Sequence, residues 1–593
     1  MSKNAELAKL FETAAKILDL KNDNPFKAIA FNKVARLLKD GDVDAEKAYA
    51  DGKLEKTKGI GGSSADMIRE YLDTGKSTDF EELKASIPEG LIPMFDLPGM
   101  GPKTIKLLWD ERNITSIGKL STAIERGKLK GVKGIGPKKI EGFKDAIAMA
   151  KRGGERRGIW KVLAVADELL EAGRGLEGVL EAEAAGSLRR RRETVKDVDL
   201  IARVADDADG SAITAAFAKL DVVKKVLVQG PTKCSVLVGD DLQVDLRIIP
   251  EKHYGAALIH FTGSKEHNVA LRGIANDKGL TLNDWGLYET KKWEKADRKP
   301  GLPPADVEPV ASANEGDVYA ALDMTWIAPE LREDRGEVQK AQADELPDLL
   351  ELKDLRGDLH THTVASDGRA TIEEMAEAAK ALGHKYLAIT DHSKSSVIAN
   401  GLDADRLLHH IDTIHEINKK IDGIEMLAGS EVDILADGTL DYPDDVLEKL
   451  DWVVASPHTA LKQDRAKATA RIIAAIENPN VCVIGHPTGR YINKREGLPL
   501  DLDAVFEACK ATGCALEINA SYPRLDLGDV PARKAAAAGV MLVINTDAHG
   551  TDGLSGLQPG IDVARRAGLE KKHVLNTRTW KQLKVWLDKK RGR

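Results

Sequence analysis

Six histidines and three carboxylates near the end of the chain have the spacing of a metal site. In Asp358-Leu359-His360-Thr361-His362 two imidazoles lie two positions apart, so on a strand both face the same way. One histidine after a strand is usually incidental, but eleven of the fourteen histidines follow residue 353. This ligand mixture suits Zn²⁺ or Mn²⁺ better than Mg²⁺ and can bind more than one ion. The candidate ligands are His360, His362, Asp367, His392, Glu431, His458, His486, Asp547 and His549.

Most of these candidates come directly after a short apolar run, as in Ile484-Gly485-His486. The runs cover residues 386–389, 424–428, 452–455, 481–484, 515–518 and 540–544. Helical stretches separate them, which predicts parallel strands closed into an α/β barrel. Residues after such strands share the carboxyl-terminal rim, so distant positions are expected to converge there. Three other histidines, His409, His410 and His415, lie on a polar helix and are expected to be solvated.

A second carboxylate group lies near the middle of the chain. In Asp197-Val198-Asp199-Leu200 the two-residue period of a strand puts both carboxylates on one face, and residues 242–249 present Asp245 in the same way. Clustered carboxylates are compensated by Mg²⁺, and two such ions would support transfer of a nucleotide to a 3′-hydroxyl. The Asp-x-Asp pattern alone also fits an ordinary strand pair with one solvated face.

Donors for a phosphate group surround these carboxylates in the sequence. Gly186 and Ser187 precede the Asp pair, and four consecutive arginines, residues 189–192, lie between Ser187 and that pair. A glycine turn permits close approach of a triphosphate, while hydroxyl and guanidinium groups supply hydrogen-bond donors. Downstream comes His260-Phe261-Thr262-Gly263-Ser264, followed by Asn268 and Arg272.

The first 150 residues, which are predicted to be helical, contain three Gly-x-Gly turns. Each turn precedes a predicted helix. Helix-hairpin-helix units place such glycines and the following amides against nucleic-acid phosphates without reading sequence. A single copy also fits a plain helix connection, but three copies with nearby lysines (Lys103, Lys106, Lys133, Lys138 and Lys139) favour nucleic-acid binding. The glycines concerned are Gly59, Gly61, Gly99, Gly101, Gly134 and Gly136.

Length and composition predict a multidomain globular protein. The 593 residues suggest three to five domains, and 42% apolar residues exclude a disordered chain. Residues 1–160 contain 30 Lys+Arg and 24 Asp+Glu, so this part of the chain has a net positive charge and the remainder has a net negative charge. No apolar run reaches the ~18 residues of a membrane span and residues 1–20 do not resemble a signal peptide, so a cytoplasmic protein is expected. The four cysteines predict buried thiols.

The ordered motifs Gly-Ser-x-Arg-Arg, Asp-x-Asp, a later Asp and Phe-Thr-Gly-Ser resemble the family X DNA polymerases in their bacterial form. The histidine region resembles the PHP phosphoesterases, in which a trinuclear metal cluster hydrolyses phosphate esters. Together the resemblances cover the whole chain. They imply a helical helix-hairpin-helix region, an α+β nucleotidyltransferase palm with a thumb, and a distorted α/β barrel of the PHP, TIM-like type.

The resemblance also implies residue roles. Asp197, Asp199 and Asp245 would be the catalytic metal ligands of the polymerase. Residues that contact the nucleotide would be Gly186 with Ser187 and Arg190 at the triphosphate, Phe261 and Gly263 along the sugar, and Asn268 and Arg272 at the base pair. His260 replaces the tyrosine of vertebrate repair polymerases, which leaves sugar discrimination open. Met67 occupies the position of the lyase lysine, so lyase activity is expected to be absent or weak.

The expected domains are a lyase-like helical domain (1–85), a second helix-hairpin-helix domain (86–152), palm (153–252), thumb (253–330), linker (331–354) and PHP domain (355–593). The expected cofactors are Mg²⁺, with Mn²⁺ as an alternative, in the palm, and up to three Mn²⁺ or Zn²⁺ ions in the barrel. The expected partners are gapped or primer-template DNA and dNTPs, bound by a monomer.

The predicted function is gap-filling DNA synthesis in repair, combined with a metal-dependent 3′-5′ exonuclease in the PHP domain. Abasic-site cleavage and 3′-phosphatase activity are open alternatives for that domain. Two rival interpretations are a small-molecule phosphatase of the histidinol-phosphatase type with a nucleic-acid tether, and a non-catalytic DNA-binding scaffold. The intact Asp triad counts against the first rival, and the complete sets of metal ligands count against the second.

Overall fold

The computed structural model describes residues 3–39, 43–97, 100–132, 134–151, 156–296 and 306–592. The chain forms two compact units, Met1–Glu155 and Arg156–Arg593. The predicted boundary between residues 152 and 153 falls in a segment outside the described residues, and the finer division into domains stays a prediction. In the described part of the chain, no helix combines the length and apolarity needed to cross a bilayer.

The first unit is helical, as predicted. Amphipathic helices bury leucine, isoleucine and alanine side chains in two apolar clusters. Its α-helices are Lys3–Lys21, Pro25–Lys39, Ala45–Ala50, Gly62–Thr74, Thr78–Ala85, Pro102–Arg112, Ile117–Glu125 and Pro137–Lys151.

A five-stranded mixed sheet forms the predicted palm. Its strands are Val179–Ala184, Val198–Val204, Val223–Gly230, Lys233–Val238 and Leu242–Pro250, flanked by the helices Leu163–Arg174, Gly186–Arg189 and Gly210–Phe217. The second and fifth of these strands are adjacent and parallel, with Asp199 opposite Asp245. Val198, Leu200, Val244 and Leu246 are buried on the other face. The predicted two-residue alternation is therefore observed.

The predicted thumb follows the palm sheet directly. Its helices are Tyr254–Thr262, Lys265–Asp277, Thr290–Lys295 and Glu315–Ala320, and its hairpin pairs strands Leu280–Asn283 and Gly286–Glu289. A buried ion pair holds its end in place, because Arg332 donates to both carboxylate oxygens of Glu315 at 2.8 and 3.1 Å.

Residues 331–354, expected to form a linker, are packed into the second unit. They contain helix Glu337–Gln342 and bury Val338, Ala341 and Leu350. Glu333 and Arg335 form ion pairs with residues of the palm and the barrel. The charged composition of this segment therefore reflects ion pairing within the fold and not solvation of a spacer.

Seven parallel strands form the predicted barrel. They pair in chain order: Gly357–Thr361, Tyr386–Ile389, Glu425–Asp433, Trp452–Ser456, Val483–Ile484, Ala515–Asn519 and Leu542–Asn545. A bridge between Thr361 and Ala548 joins the two edges, and the His362 amide donates to the Ala548 carbonyl at 2.8 Å. The ring is therefore nearly closed with seven strands.

Helices cover the outside of this barrel. They are Ile372–Ala381, Ala404–Asn418, Asp444–Leu447, Arg465–Glu477, Leu502–Thr512, Asp529–Ala537, Gln558–Ala567 and Trp580–Lys590. All four cysteines of the chain are buried free thiols, as predicted. One strand is longer than its apolar run indicates, because Glu425–Asp433 continues past residue 428. Glu431 accordingly lies inside a strand and not after it.

Candidate active sites

The three palm carboxylates occupy one face of two neighbouring strands. Asp199 lies directly opposite Asp245, and Asp197 immediately precedes the strand that carries Asp199. Lys233 Nζ lies 2.6 Å from Asp245 Oδ2, and Gln243 Nε2 donates to Asp245 Oδ1 at 3.0 Å. These contacts orient Asp245 and leave the other two carboxylates on the same side of the sheet.

Gly186 lies against this carboxylate group. Its φ is +59°, and a Cβ placed there would lie 2.4 Å from Asp199 Oδ2. Both the backbone conformation and the space therefore require glycine. The turn places the Gly186 backbone against Asp199, so a phosphate approaching this turn would lie beside the carboxylates.

The electrostatics of the palm site favour a bound cation. Burial, with Asp197 and Asp245 nearby, raises the pKa of Asp199 to about 7. Burial and Asp245 also raise the pKa of Asp197. Burial opposes ionisation of Asp245 as well, but Lys233 brings its pKa below the usual value. The three carboxylates repel one another, and the positive charge of Lys233 offsets only part of that repulsion. A divalent cation would offset the rest and prefers carboxylate oxygens as ligands, so Mg²⁺ fits here.

Of the predicted nucleotide residues of the thumb, Phe261 lies beside a palm strand. Arg247, from the same strand as Asp245, stacks on the Phe261 ring at 4.1 Å. Asn268 and Arg272 lie one turn apart on helix Lys265–Asp277, and Asn268 Nδ2 donates to the His260 carbonyl at 2.7 Å. Arg190 is largely enclosed: it donates to Glu333 Oε1 at 3.0 Å and to the Thr262 carbonyl. Its guanidinium thus faces Glu333 and the turn at Gly263.

The nine barrel ligands predicted from the sequence lie together at the rim. Eight fall into three overlapping groups whose ligand atoms lie within 4.8 Å of one another. The ninth, His486, is joined through Nε2 to Glu431 Oε1 at 2.8 Å. His362, His392 and Glu431 each belong to two groups and so connect all three. The groups are His362 with Asp367, His392 and His549; His360 with His362, Glu431 and Asp547; and His392 with Glu431 and His458.

Buried polar atoms in this cluster show that it fits metal ions. Several nitrogen and oxygen atoms are buried yet lack a hydrogen-bond partner among the described residues: His360 Nε2, His362 Nδ1 and Nε2, His392 Nδ1, Glu431 Oε2 and His486 Nδ1. Unsatisfied buried polar groups cost free energy, and coordination would satisfy them. The overlapping groups accommodate more than one ion.

Electrostatic interactions within the cluster are strong. Burial opposes the charged form of His458, but Glu431 and Asp433 raise its pKa to about 10. Burial and His392 lower the pKa of His362 to about 4. Several strongly perturbed pKa values in one cluster are typical of a functional site.

Sequence reasoning missed the residues that orient these ligands. The Glu517 carboxylate accepts from His360 Nδ1 at 2.8 Å, and the Asp433 carboxylate lies 2.8 Å from His458 Nδ1. Such contacts fix the ring and point its other nitrogen at the metal. A signal was available, because a carboxylate inside an otherwise apolar barrel strand, as in Ala515–Asn519, needs a buried partner.

The prediction for His410 is wrong. The residue is buried, and its Nε2 lies 2.9 Å from Asp391 Oδ2. Asp391 precedes the ligand His392 and also accepts from Thr363 and Ser366. His409 is exposed and His415 is half-buried beside Asp451. A helix that looks polar in sequence thus turns one of its histidines inward to the barrel rim.

The predicted DNA-contacting glycines lie in two kinds of position. Gly59 and Gly134 have φ values of +100° and +85°, which favour glycine. A Cβ added to Gly61, Gly101 or Gly136 would meet no atom within 4 Å, so their backbone is open to approach. Helices begin directly after them at Gly62, Pro102 and Pro137. Gly99, like Lys133, lies outside the described residues.

Four protein families match successive parts of the chain. A helix-hairpin-helix domain matches residues 2–77, and a SAM-like helix-hairpin-helix tandem matches residues 92–147. The DNA polymerase beta thumb matches residues 257–333, and the PHP domain matches residues 358–521.

Curated relatives match either the whole chain or the barrel alone. The chain is 38% identical over 584 residues to the DNA polymerase/3'-5' exonuclease PolX of Bacillus subtilis (strain 168), covering 98% of this chain and 99% of that protein. It is 34% identical over 245 residues to a probable phosphatase of Thermoanaerobacter sp. (strain X514), covering 40% of this chain and 95% of that protein. A probable phosphatase of Shewanella sp. (strain MR-4) is 31% identical over 229 residues, covering 37% of this chain and 86% of that protein.

Proposed function

We propose, from the premise that the chain belongs to the PolX family of DNA polymerase/3'-5' exonucleases, that it fills short gaps in DNA during repair and removes nucleotides from 3′ ends. One observation carries the proposal: a single compact unit holds an Asp triad beside a glycine turn and, separately, a nine-residue ligand cluster. The first arrangement suits nucleotidyl transfer and the second suits phosphodiester hydrolysis.

In the polymerase site, Asp197, Asp199 and Asp245 would hold Mg²⁺ or Mn²⁺. When bound, the ions would lower the barrier by activating the 3′-hydroxyl and neutralising charge on the phosphates. The chain itself positions the nucleotide: Ser187 donates to the triphosphate, and Gly186 permits its close approach. Phe261 and Gly263 lie along the sugar, and Asn268 and Arg272 contact the base pair.

In the barrel, the nine ligands would hold up to three Mn²⁺ or Zn²⁺ ions. When bound, such ions would polarise the phosphate and activate a water molecule for attack. Glu517 and Asp433 hold His360 and His458 in the orientation that coordination needs. Gapped or primer-template DNA and dNTPs are the proposed partners, with the protein acting as a cytoplasmic monomer.

A gapped duplex with a labelled primer tests both activities. We expect extension with Mg²⁺ and dNTPs, and shortening of the primer with Mn²⁺ in the absence of dNTPs. Product lengths resolved on one gel measure both reactions. A protein that hydrolyses small phosphate esters but neither extends nor shortens the primer would contradict the proposal.

The barrel-only similarity to probable phosphatases favours a second candidate substrate, a terminal phosphate. A primer carrying a 3′-phosphate tests this candidate, because its removal precedes any extension. We expect the phosphate to be released by the same ligand cluster, so that His360→Ala abolishes the release.

A further inference from the structure

We infer that the barrel positions the phosphate loop of the palm, defined here as residues 186–193, so that barrel arginines act as positioning residues for nucleotide binding. The inference rests on the proposed polymerase function. Its basis is that four consecutive residues of this loop, 190–193, are each contacted from the barrel or by a residue that the barrel holds.

Arg566 makes the central contact. This residue is on the barrel helix Gln558–Ala567 and is only 4% exposed. Its Nη1 donates to the Arg190 carbonyl at 2.7 Å and to Glu333 Oε1 at 3.0 Å, while Nη2 donates to Asp529 Oδ2 at 2.7 Å. One buried guanidinium thus joins the loop backbone, the segment after the thumb and the barrel.

Glu333 extends this contact to two loop side chains. Its carboxylate accepts from Arg190 Nε at 3.0 Å and from Arg192 Nη1 at 3.1 Å, in addition to Arg566. Burial disfavours the carboxylate, but Arg566, Arg190 and Arg192 lower the pKa of Glu333 to about 2. The carboxylate therefore stays charged and holds Arg190 in one orientation.

Arg490 contacts the end of the loop. Its two terminal nitrogens pair with both carboxylate oxygens of Glu193, one of them at 3.2 Å. The Glu193 carbonyl also accepts from the Ile159 amide at 2.9 Å, which ties it to the palm. Gly528 leaves room for this pair, because a Cβ there would lie 2.7 Å from Arg490 Nη1. A bidentate pair fixes direction as well as distance.

Further contacts join the loop and other parts of the palm to the barrel. Arg191 Nε lies 3.8 Å from Asp562 Oδ2, and Asn493 Nδ2 donates to the Arg156 carbonyl at 2.8 Å. The rings of Trp160 and Tyr522 stack with centroids 5.1 Å apart. The loop therefore cannot shift relative to Asp199 without breaking the hydrogen bond and the ion pairs that join it to the barrel, directly or through Glu333.

Contacts that only held the two regions together would affect stability but not nucleotide binding. The test therefore measures the apparent affinity for dNTP and the maximal rate separately, in single-turnover filling of a one-nucleotide gap. The variants are Arg566→Met and Arg490→Met, which keep an apolar stem and remove the charge. Arg490→Lys keeps the charge but loses the bidentate geometry, and Arg565→Met is the matched control.

Arg565 is a suitable control because it neighbours Arg566 and also joins the barrel to the preceding segment. Its contacts, to Glu330 Oε1 at 2.7 Å and the Leu350 carbonyl at 3.2 Å, do not involve the phosphate loop. We expect the first two variants to weaken dNTP affinity about tenfold with a small change in maximal rate, since a misplaced phosphate-binding group weakens binding of the ground state and the transition state alike. Arg490→Lys should be intermediate and Arg565→Met should match wild type.

Retained Mn²⁺-dependent shortening of primers identifies variants whose barrel is folded. Wild-type dNTP affinity in a folded Arg490→Met and a folded Arg566→Met would overturn the inference. If Arg566→Met does not fold, the dNTP affinity of Arg490→Met tests the inference by itself. Its partner Glu193 is partly exposed, so water can solvate the carboxylate when the guanidinium is removed. Absence of extension by the wild-type protein would instead contradict the proposed polymerase function, and the inference with it.

Discussion

At the scale of single residues, the polymerase site depends on carboxylates that repel one another. We predict that Asp199→Ala lowers the extension rate by at least ~10³-fold, about 4 kcal/mol, because two-metal positioning needs the full triad. Binding to gapped DNA should persist, since the proposed hairpin contacts belong to the first compact unit and the triad belongs to the second. Primer extension and a mobility-shift titration measure the two effects. Asp207→Ala, an exposed neighbour in sequence, is the control. Near wild-type extension by Asp199→Ala would refute the assignment.

The barrel cluster supports the complementary prediction. We expect His360→Ala to abolish Mn²⁺-dependent shortening of 3′ ends while extension continues, because His360 belongs to the ligand cluster and its Nδ1 is joined to Glu517 of the barrel. His409→Ala, exposed on helix Ala404–Asn418, is the matched control and should leave both activities unchanged. Loss of both activities in a folded His360→Ala protein would show that the two sites share residues.

Met67 predicts that lyase activity is absent or weak. The side chain is 3% exposed and packs in the apolar cluster of the first helices. A thioether cannot form an imine with a sugar aldehyde, so we predict little or no 5′-deoxyribose phosphate lyase activity. Borohydride trapping on a substrate with that group measures it, and Met67→Lys should gain cross-linking. Efficient trapping by the wild-type protein would contradict the prediction.

At the scale of elements, the segment between thumb and barrel is held by charge. The pKa of Glu333 is lowered to about 2 from 4.5, so its stabilising contribution is present above about pH 4.5 and is lost as the pH falls toward 2. We predict that Glu333→Gln lowers the free energy of unfolding near neutral pH by about 3 kcal/mol, because three arginines lose their partner.

Denaturant titrations at several pH values check this prediction. The difference between Glu333→Gln and wild type should stay constant from neutral pH to about pH 5 and shrink only at lower pH. A difference that already declines between about pH 7 and pH 6 would assign the pH dependence to a histidine instead. Glu330→Gln, which affects the Arg565 pair, controls for loss of a carboxylate in the same segment.

At the scale of the whole molecule, the basic first 160 residues and the three hairpins are expected to bind DNA through its phosphates. The logarithm of the affinity for gapped DNA should fall linearly with the logarithm of salt concentration, at about −0.7 to −0.9 per phosphate neutralised. Fluorescence anisotropy over a salt series measures this slope. Because phosphate contacts do not read bases, gap sequence should matter little, and a strong sequence preference at fixed salt would argue against the hairpin assignment.

Local periodicity explains why so much of both sites was predictable. The strand period placed Asp199 and Asp245 on one face, and the alternation of apolar runs with helices predicted a parallel barrel whose strand ends converge. All nine predicted barrel ligands lie together for that reason. The prediction failed where an element continues beyond its apolar run, as at Glu431, because buried polar ligands do not contribute to an apolar pattern.

The chemistry of the two sites follows from the amino-acid sequence alone, since side-chain type and short-range spacing suffice to bring such groups together on strands. The residues that support these sites are set by the tertiary structure: Glu517 behind His360, His410 behind Asp391, and the ion pairs that join Arg190 and Glu193 to the barrel. Arg190 and Arg566, the most widely spaced of these pairs, are 376 positions apart in the sequence. Such contacts arise from barrel closure and packing. No local pattern encodes them, because burial and pairing are properties of the folded surfaces that meet.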